Sequence, residues 1–297
     1  MLTHAYADLE TGIRLHYVTE GTGKLLLFLH GNPAFWYGWK RQLPAFSDRY
    51  CVVAPDLPGY NLSSKPEPVE RYRMSVLADD IRAFVEQLGF ETFTLIGHDM
   101  GGAIGWSYAA RYPETLEKLV VISAGHPDQP RRARRKYPEL RKDASYVTML
   151  KQTDYVTFFS ANNYAHLVAS ELGEHQNLKP GTFTEEDKQA YIESWSQPGM
   201  LACMVKYYVA FDLESDRADQ QAPDEDMLPS IRVPTLFIYG EKDIFKLSSD
   251  RDDEIREWLR ELVPGITIKA IPDGSHVMIY DHADEVNTLI QQFIENR

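Results

Sequence analysis

Short apolar runs alternate with amphipathic segments along the first 125 residues of the chain. Each apolar run is continuous and ends at turn residues, which predicts a buried strand. The runs are LLLFLH (25–30), YCVVAP (50–55), FTLIGH (93–98) and LEKLVVIS (116–123). Helical spacing of apolar residues predicts helices over 75–90 and 103–113. This alternation predicts an α/β fold, with a mostly parallel sheet and helices on both of its faces.

The pattern changes after GHPDQP (125–130), and from there to about residue 228 it predicts helices without a strand. This stretch opens with the basic cluster RRARRKYPELRK, which we expect to be a solvated helix face. The strand pattern then resumes in IRVPTLFIYG (231–240), and a helix (254–263), the strand ITIKAI (266–271) and a last helix follow. The sequence therefore predicts an α/β core that an all-helical insertion interrupts. Its parts are core residues 1–127, inserted residues 128–230 and core residues 231–297.

Composition limits the classes of function. The chain has 297 residues, 43% of them hydrophobic, and a formal net charge of -13. We expect no nucleic acid and no anionic membrane as partner, since both repel an acidic protein. The N-terminus lacks the pattern of a signal peptide, and no apolar run approaches the roughly 20 residues of a membrane span. We therefore expect a cytoplasmic protein.

Metal and cofactor chemistry has little support in the sequence. Two cysteines, Cys51 and Cys203, are too few for a disulfide framework or a zinc cluster. The nine histidines show no spacing typical of metal ligands. We therefore expect that the protein uses neither a metal nor another cofactor.

Candidate chemistry begins at LIGHDMGGAIG (95–105), where a predicted strand runs straight into a predicted helix. Small residues flank Asp99, as in the nucleophile elbow, a tight turn that presents its central side chain to the site. The N-terminus of the following helix favours negative charge on that side chain. Taken alone, the motif also fits a loop aspartate that caps a helix.

Three further stretches lie at the ends of predicted strands. In the loop HGNP (30–33), the backbone N–H of Asn32 is expected to face the elbow, and that of Met100 supplies a second donor. Asp243 follows a strand in FIYGEKDIF, and His276 follows the next strand in IPDGSHVMIYD. The chain order nucleophile, acid, histidine is that of the α/β-hydrolases. His98, next to the elbow residue, is expected to be structural.

These motifs resemble the α/β-hydrolase superfamily, and in particular its epoxide hydrolase branch. The resemblance covers nearly the whole chain and rests on HGNPAFWYGWKRQLP, VVAPDLPGYNLSSKP, LIGHDMGGAIGW and PGTFTEEDKQAYIESWSQPGM. It implies the α/β-hydrolase fold with a helical cap, and the roles of nucleophile for Asp99, acid for Asp243 and base for His276. It further implies a small or medium apolar epoxide and water as reactants, and a monomer or homodimer.

An aspartate nucleophile suits displacement at a saturated carbon. Attack on an ester would give a mixed anhydride, a poor route. Attack at an sp³ carbon gives an alkyl-enzyme ester, which a water activated by His276 hydrolyses at the carboxylate carbon. Asp99 therefore narrows the reaction to epoxide opening or dehalogenation, and the leaving group decides between them.

Two cap tyrosines donate hydrogen bonds to the epoxide oxygen in the epoxide hydrolases. Comparison of DYVTFF (154–159) and KYYVAF (206–211) with that family implies Tyr155 and Tyr208, with Tyr146 as the alternative to Tyr155. The family usually has an arginine after the second tyrosine, where this chain has Val209. Trp36 and Tyr37 are expected either to line the substrate pocket or to pack the loop.

Dehalogenation is the first alternative. Haloalkane dehalogenases usually hold the halide with a tryptophan directly after the nucleophile and an asparagine in the HGN loop. Asn32 is present, but the side chain of Met100 has no hydrogen-bond donor. Fluoroacetate dehalogenases carry arginines where this chain has Met100 and Ala103. We therefore expect an epoxide hydrolase. A haloalkane or haloacid dehalogenase and a non-catalytic ligand-binding protein are the alternatives.

Overall fold

A computed structural model of the chain describes residues 1–137, 154–173, 178, 181–221, 228–243 and 252–296. Within these ranges, eight strands form one sheet. The strands are β1 (Thr3–Asp8), β2 (Arg14–Glu20), β3 (Leu25–Leu29), β4 (Cys51–Pro55), β5 (Phe93–His98), β6 (Leu116–Ile122), β7 (Thr235–Gly240) and β8 (Thr267–Ile271).

Helices connect and cover the strands. They are α1 (Leu43–Phe46), α2 (Met74–Gln87), α3 (Met100–Arg111), α4 (Asp128–Lys136), α5 (Tyr155–Glu171), α6 (Glu185–Trp195), α7 (Met200–Gln221), α8 (Asp252–Leu262), α9 (Met278–Asp281) and α10 (Ala283–Glu295). Short 3₁₀ turns cover Trp36–Trp39, Val69–Tyr72 and Pro113–Thr115. Residues 161–164 interrupt α5 with non-helical backbone. None of the helices in the described ranges is long and apolar enough to cross a bilayer.

The strand order is β1-β2-β4-β3-β5-β6-β7-β8. Neighbouring strands from β4 to β8 are parallel, whereas β2 pairs antiparallel with both β1 and β4. The predicted fold class, a mostly parallel sheet flanked by helices, is confirmed. All six predicted strands are present. β7 begins at Thr235 rather than at residue 231, because Pro234 precedes it and proline cannot donate to a strand ladder.

The continuous apolar runs correspond to the buried centre of the sheet. Every residue of β3 and of β5 is buried, because helices cover both faces of these strands. The antiparallel pair β1 and β2 was not predicted. It lies at one edge of the sheet, and Ala7 is the only fully buried residue of β1. An exposed edge strand with few apolar residues gives too weak a hydrophobic pattern to be recognised.

Between β6 and β7, the described residues form α4, α5, α6 and α7 and contain no strand. We name these four the inserted helices. They pack against loops that follow core strands: the indole N–H of Trp195 donates to the Pro33 carbonyl at 2.8 Å, and the Tyr207 hydroxyl donates to that of Pro58 at 2.7 Å. The helical character predicted for this part of the chain agrees with the described residues. The domain boundaries at 128 and 230 stay a prediction.

The described part of the basic cluster lies in α4, and its side chains pair with acidic residues. The prediction that it forms a solvated helix face was wrong for these residues. Arg131 is buried beside Asp128. Arg132 forms an ion pair of 2.7 Å with Glu261 of α8. Lys136 pairs with Glu254 of the same helix. The positive charges of α4 are therefore matched to an acidic neighbouring helix, which lies more than 100 residues later in the chain and could not be paired with it from sequence.

At the turn from β5 into α3, the first turn of α3 comes into contact with the backbone at the end of β3. A Cβ atom on Gly101 would lie 2.1 Å from the carbonyl oxygen of Leu29 and 2.7 Å from that of His30. No side chain fits at that separation, so glycine is required here for close approach. The contact fixes the first turn of α3 against the end of β3.

We expect the change Gly101→Ala to destabilise the fold, because the added methyl group must push α3 away from β3. The free energy of unfolding should fall by about 1–3 kcal/mol or more, as measured by urea denaturation. Gly38→Ala is the matched control, since a Cβ atom there meets its nearest neighbour at an ordinary 3.7 Å. Equal stability of the two variants would contradict the close approach.

Candidate active site

Asp99 lies at the turn between β5 and α3. Its backbone has φ 51° and ψ -119°, a left-handed conformation that is costly for a residue with a side chain. The turn is held from both sides, because the Asp99 N–H donates to the Ile122 carbonyl at 3.1 Å and its carbonyl accepts from the Ala103 N–H at 3.0 Å. Strain of this kind at a strand-to-helix turn is typical of a nucleophile elbow. The predicted elbow is therefore present in the backbone.

The carboxylate of Asp99 is bound on one side by backbone. The N–H of Asn32 donates to Oδ1 of Asp99 at 2.8 Å. Met100 is the first residue of α3, so its N–H belongs to the first helical turn, where amides have no partner within the helix. The Asp99 side chain is 23% exposed, which leaves part of the carboxylate accessible for reaction.

His276 and Asp243 lie on the other side of this carboxylate. Nδ1 of His276 donates to both carboxylate oxygens of Asp243, at 3.0 and 3.1 Å. Nε2 of the same ring lies 3.5 Å from Oδ2 of Asp99. The side chains of His276 and Asp243 are nearly buried, with 7% and 5% of their surface exposed. Three residues from the ends of different strands, predicted from sequence, thus form one continuous row.

The charges in this row act on one another. Burial alone would lower the pKa of His276, but its hydrogen bonds to Asp243 and Asp99 and their negative charges raise it to about 10. Burial alone would raise the pKa of Asp99, yet the hydrogen bond and positive charge of His276 hold it below its usual value. At neutral pH, the site therefore contains an imidazolium between two carboxylates.

His98 supports this row without being part of it. Its Nε2–H donates to the backbone carbonyl of His276 at 2.8 Å. Burial and the neighbouring positive charge of His276 lower the pKa of His98 to about 4, so that its ring is neutral at physiological pH. The expectation that this histidine is structural agrees with these contacts.

The aromatic residues of the loop after β3 make packing contacts. The backbone N–H of Trp36 donates to Asp56 at 3.0 Å, and its ring meets His4 edge to face at 5.3 Å. The Tyr37 hydroxyl donates to Asp187 of α6 at 3.0 Å, and burial together with this carboxylate raises the pKa of Tyr37 to about 12. The hydroxyl of Tyr37 therefore joins the core to the inserted helices. A pocket role for Trp36 and Tyr37 stays a prediction.

The two predicted tyrosines differ in position. Tyr208 lies in α7 and is half-buried. This helix reaches the loop beside the elbow, where the side-chain amide of Asn32 donates to the Met204 carbonyl at 3.5 Å. Tyr155 is the first residue of α5 and packs against the hydrophobic core. No contact of the described residues joins Tyr155 to Asp99 or His276, and Tyr146 lies outside the described residues.

The structure adds one residue that sequence reasoning did not identify. Glu171, at the C-terminal end of α5, is close enough to Asp99 and His276 for their charges to act on its carboxyl group. Burial raises the pKa of Glu171 to about 7. No motif surrounds this glutamate in the sequence, so only the fold reveals its position. Among the described residues, no set of three or more histidine, cysteine or acidic side chains is arranged to hold a metal ion.

Comparisons with known proteins agree on one family. A model of the alpha/beta hydrolase fold family matches residues 24–283. The AB hydrolase superfamily protein YfhM of Bacillus subtilis is 33% identical over 292 residues, which cover 96% of each chain. Epoxide hydrolase 4 of Mus musculus is 34% identical over 301 residues, covering 99% of this chain and 80% of the relative. An inhibitor complex of a Bacillus megaterium epoxide hydrolase superposes with a TM-score of 0.85 at 32% identity, over 98% of this chain and 100% of that one.

The raised pKa of His276 should depend on Asp99. In the variant Asp99→Asn, one of the two negative charges is removed, so the pKa of His276 should fall from about 10 toward its ordinary range, by more than one unit. A titration followed by NMR of the imidazole signals measures this change. Asp284→Asn is the control, because that carboxylate is exposed on α10. An unchanged titration in Asp99→Asn would mean that the two side chains do not interact.

Proposed function

Because the chain belongs to the α/β-hydrolase fold family, in the branch of the epoxide hydrolases, we propose that it opens a small or medium apolar epoxide to a vicinal diol. The reaction proceeds through a covalent ester on Asp99. The observation that carries this proposal is a carboxylate at the elbow, held between the Asn32 N–H and the His276 ring. A hydroxyl nucleophile would suit acyl transfer. A carboxylate suits attack at saturated carbon.

In the first step, Oδ2 of Asp99 attacks a ring carbon of the epoxide and the carbon–oxygen bond of the ring breaks. Oδ1 stays bound to the Asn32 N–H, which keeps the carboxylate in one orientation. The lowered pKa of Asp99 ensures that the nucleophile is ionised at neutral pH. The product of this step is an alkyl ester of Asp99 that carries an alkoxide on the neighbouring carbon.

The departing oxygen must take up a proton. We assign its direct donors to the tyrosine hydroxyls of the inserted helices, Tyr208 and one of Tyr155 and Tyr146. The place of Tyr208 in α7 supports the first assignment, because this helix contacts the loop beside the elbow through the bond from Asn32 to Met204. The imidazolium of His276 then supplies the proton that the tyrosine has given up. It can release this proton because esterification removes the negative charge of Asp99, which had raised the pKa of His276. Proton uptake by the alkoxide and proton release by His276 therefore balance.

In the second step, His276 becomes the general base. Esterification removes the charge of Asp99, and with it part of the interaction that raises the pKa of His276. The neutral ring takes a proton from a water molecule, and this water attacks the carboxyl carbon of the Asp99 ester. Asp243 stabilises the imidazolium that forms. Negative charge then develops on Oδ1, where the Asn32 N–H already donates and the Met100 N–H is the second donor. The bond between the carboxyl carbon and Oδ2 then breaks, and the diol leaves with Oδ2 and takes the proton of the carboxyl group that has formed. Asp99 is again a carboxylate and His276 an imidazolium, as at the start.

The inserted helices are proposed as a cap over this site, formed by residues 128–230. Their contacts with the loops after β3 and β4 support the proposal, and so does the bond from the Asn32 amide, beside the elbow, to the Met204 carbonyl of α7. A cap excludes bulk water, so that hydrolysis waits for the ester. It also supplies the groups that select the substrate.

Dehalogenation remains the second candidate because of Asn32. The side-chain amide of this residue donates to the Met204 carbonyl of α7 at a long 3.5 Å, so it is only weakly engaged. A halide could compete for that donor, whereas Met100 offers none from its side chain. Substitutions of Asn32 and of the candidate tyrosines distinguish epoxide opening from dehalogenation.

The variant His276→Gln should complete the first step and stop. We expect a burst of ring opening followed by an ester that remains on Asp99, because the glutamine cannot take a proton from water. Mass spectrometry of the intact protein detects the adduct. Asp243→Asn should slow the same step, and His166→Gln, an exposed histidine of α5, should behave as the wild type. If a substrate that the wild type turns over leaves no adduct on His276→Gln, the covalent route is wrong. A single turnover in oxygen-18 water should likewise place unlabelled oxygen from Asp99 in the diol.

The leaving group is tested with Tyr208→Phe, Tyr155→Phe and Tyr146→Phe. Each change that removes a true donor should slow alkylation by about 10- to 150-fold on an epoxide, since one charge-assisted hydrogen bond is lost. Substrate affinity should change much less, because charge develops on oxygen only during ring opening. Stopped-flow measurement of alkylation on an epoxide and on a bromoalkane provides the comparison.

The control for these variants is Tyr6→Phe, an exposed tyrosine of β1. Comparison of the Tyr155 and Tyr146 variants decides which of the two donates. Asn32→Ala should affect a bromoalkane more than an epoxide. A bromoalkane as the faster substrate, or full epoxide activity after loss of Tyr208 and both alternatives, would overturn the epoxide assignment in favour of dehalogenation.

A further inference from the structure

The turn formed by residues 31–34 lies directly on the side chain of Asp99. The Ala34 N–H donates to the Gly31 carbonyl at 3.0 Å, which closes the turn. A Cβ atom on Gly31 would lie 2.7 Å from Oδ1 of Asp99, so no side chain fits between the turn and this carboxylate. The Asn32 N–H donates to the same Oδ1 at 2.8 Å. A movement of the turn therefore changes the hydrogen bond that orients the carboxylate.

One side of this turn is fixed by the core. The buried ring of His30 donates from Nδ1 to the Gly31 carbonyl at 2.8 Å. Nε2 of the same ring accepts from the Leu57 N–H at 2.9 Å. Both nitrogens of His30 are thus engaged, and the first residue of the turn is tied to the loop after β4. These bonds hold Gly31 but do not reach the carbonyl of Pro33, on the other side of the turn.

That other side is fixed by one of the inserted helices. The indole N–H of Trp195, at the end of α6, donates to the Pro33 carbonyl at 2.8 Å. Trp195 and Pro33 are both buried, so the bond is shielded from solvent. Among the described residues, no other donor binds the Pro33 carbonyl. Loss of the indole N–H would leave a buried carbonyl group unpaired, which favours displacement of the turn.

Helix α6 is attached to the core at a second place. Near its N-terminal end, Asp187 accepts a hydrogen bond from the Tyr37 hydroxyl at 3.0 Å and forms an ion pair with Lys40. The helical rise separates Asp187 from Trp195 by about 12 Å. Two attachments at this separation fix the direction of the helix as well as its position. α6 therefore presents the Trp195 N–H to the turn from a fixed place.

We propose that Trp195 is a positioning residue, which keeps the Asn32 N–H in place as the donor to Oδ1 of Asp99. The indole acts through Pro33 on its neighbour Asn32 and does not touch the reacting atoms. This inference rests on the proposed reaction at Asp99, in which negative charge develops on Oδ1 while the ester is hydrolysed. The inserted helices then contribute to the second step of the reaction.

The two steps should depend on this donor to different degrees. During ring opening, Oδ2 attacks and the carboxylate loses its charge, so the hydrogen bond to Oδ1 weakens. During hydrolysis, Oδ1 becomes an oxyanion and the bond from the Asn32 N–H strengthens. Loss of the Trp195 donor should therefore slow hydrolysis of the ester and leave ring opening nearly unchanged. A general loosening of the fold would instead slow both steps.

The test replaces Trp195 with benzothienylalanine, in which a sulfur atom takes the place of the indole N–H. The ring keeps its shape, but the donor is lost. Hydrolysis of the Asp99 ester should slow by about 10- to 100-fold, up to the effect of removing an oxyanion donor outright. The rate of alkylation should stay close to that of the wild type. Stopped-flow measurement of alkylation and mass spectrometry of ester decay give the two rates, with a styrene oxide that the wild type turns over.

Trp39 is the matched control, because its indole N–H is also buried but has no hydrogen-bond partner among the described residues. The same replacement at Trp39 should leave both rates unchanged. Trp195→Phe should show the same selective loss, together with lower stability because the smaller ring leaves a cavity. Equal slowing of both steps in the Trp195 isostere, or unchanged hydrolysis of its ester, would overturn the proposal.

A measurement on the resting protein separates this inference from the reaction itself. In the NMR spectrum, the amide proton of Asn32 should resonate at high frequency, because it is bonded to a carboxylate. In the Trp195 isostere this signal should move to lower frequency, and in the Trp39 isostere it should stay in place. If no epoxide reacts but the shift is found, the proposed reaction is wrong and the positioning role stands. If the ester forms and decays as in the wild type and the signal stays in place, the reaction stands and the role of Trp195 is wrong.

Discussion

The imidazole of His276 lies between the carboxylates of Asp99 and Asp243, and the chemistry of the site depends on this interaction. The ring is nearly buried, where a lone imidazolium would be costly. Two negative partners reverse that cost and raise the pKa to about 10. In the reaction proposed here, Asp99 loses its charge by esterification, and the protonation balance of the ring would then shift toward neutral imidazole. Under this proposal, the protonation state of His276 would change during the reaction without movement of a side chain.

The sheet provides the rigidity that this arrangement needs. Asp99, Asp243 and His276 follow β5, β7 and β8, and the adjacent strand β6 lies between the first two. Parallel strands end at the same edge of a sheet, so residues far apart in the chain meet there. Close packing of Gly101 against β3 and the hydrogen bonds at Asp99 hold the strained elbow in place. Backbone geometry, rather than the flexible part of any side chain, therefore sets the distances.

The strands and site residues that could be predicted from the sequence are those that a short local pattern indicates. Continuous apolar runs indicated β3 through β8, and residues next to strand ends indicated the row of Asp99, Asp243 and His276. The edge strand β1 and its neighbour β2 were missed because their apolar residues are few. The partners of the basic cluster were missed because Glu254 and Glu261 lie far along the chain. Glu171 was missed for a related reason, since the burial that raises its pKa arises only when α5 packs in the fold.

The shifted pKa values of His276 and Asp99 make the stability of the folded protein depend on pH. His276 has a folded pKa above its unfolded value of about 6.5, so its stabilising contribution is complete below that pH and disappears as the pH rises through about 10. Asp99 has a folded pKa below its unfolded value, so its contribution is present above that value and is lost in acid.

Glu171 has the opposite effect from Asp99. Its folded pKa of about 7 lies above the ordinary value of 4.5, so the native state loses stability as the pH rises from the lower value through the higher one. At neutral pH the fold therefore retains one carboxyl group whose ionisation opposes its own stability, beside the Asp99 carboxylate, which supports it.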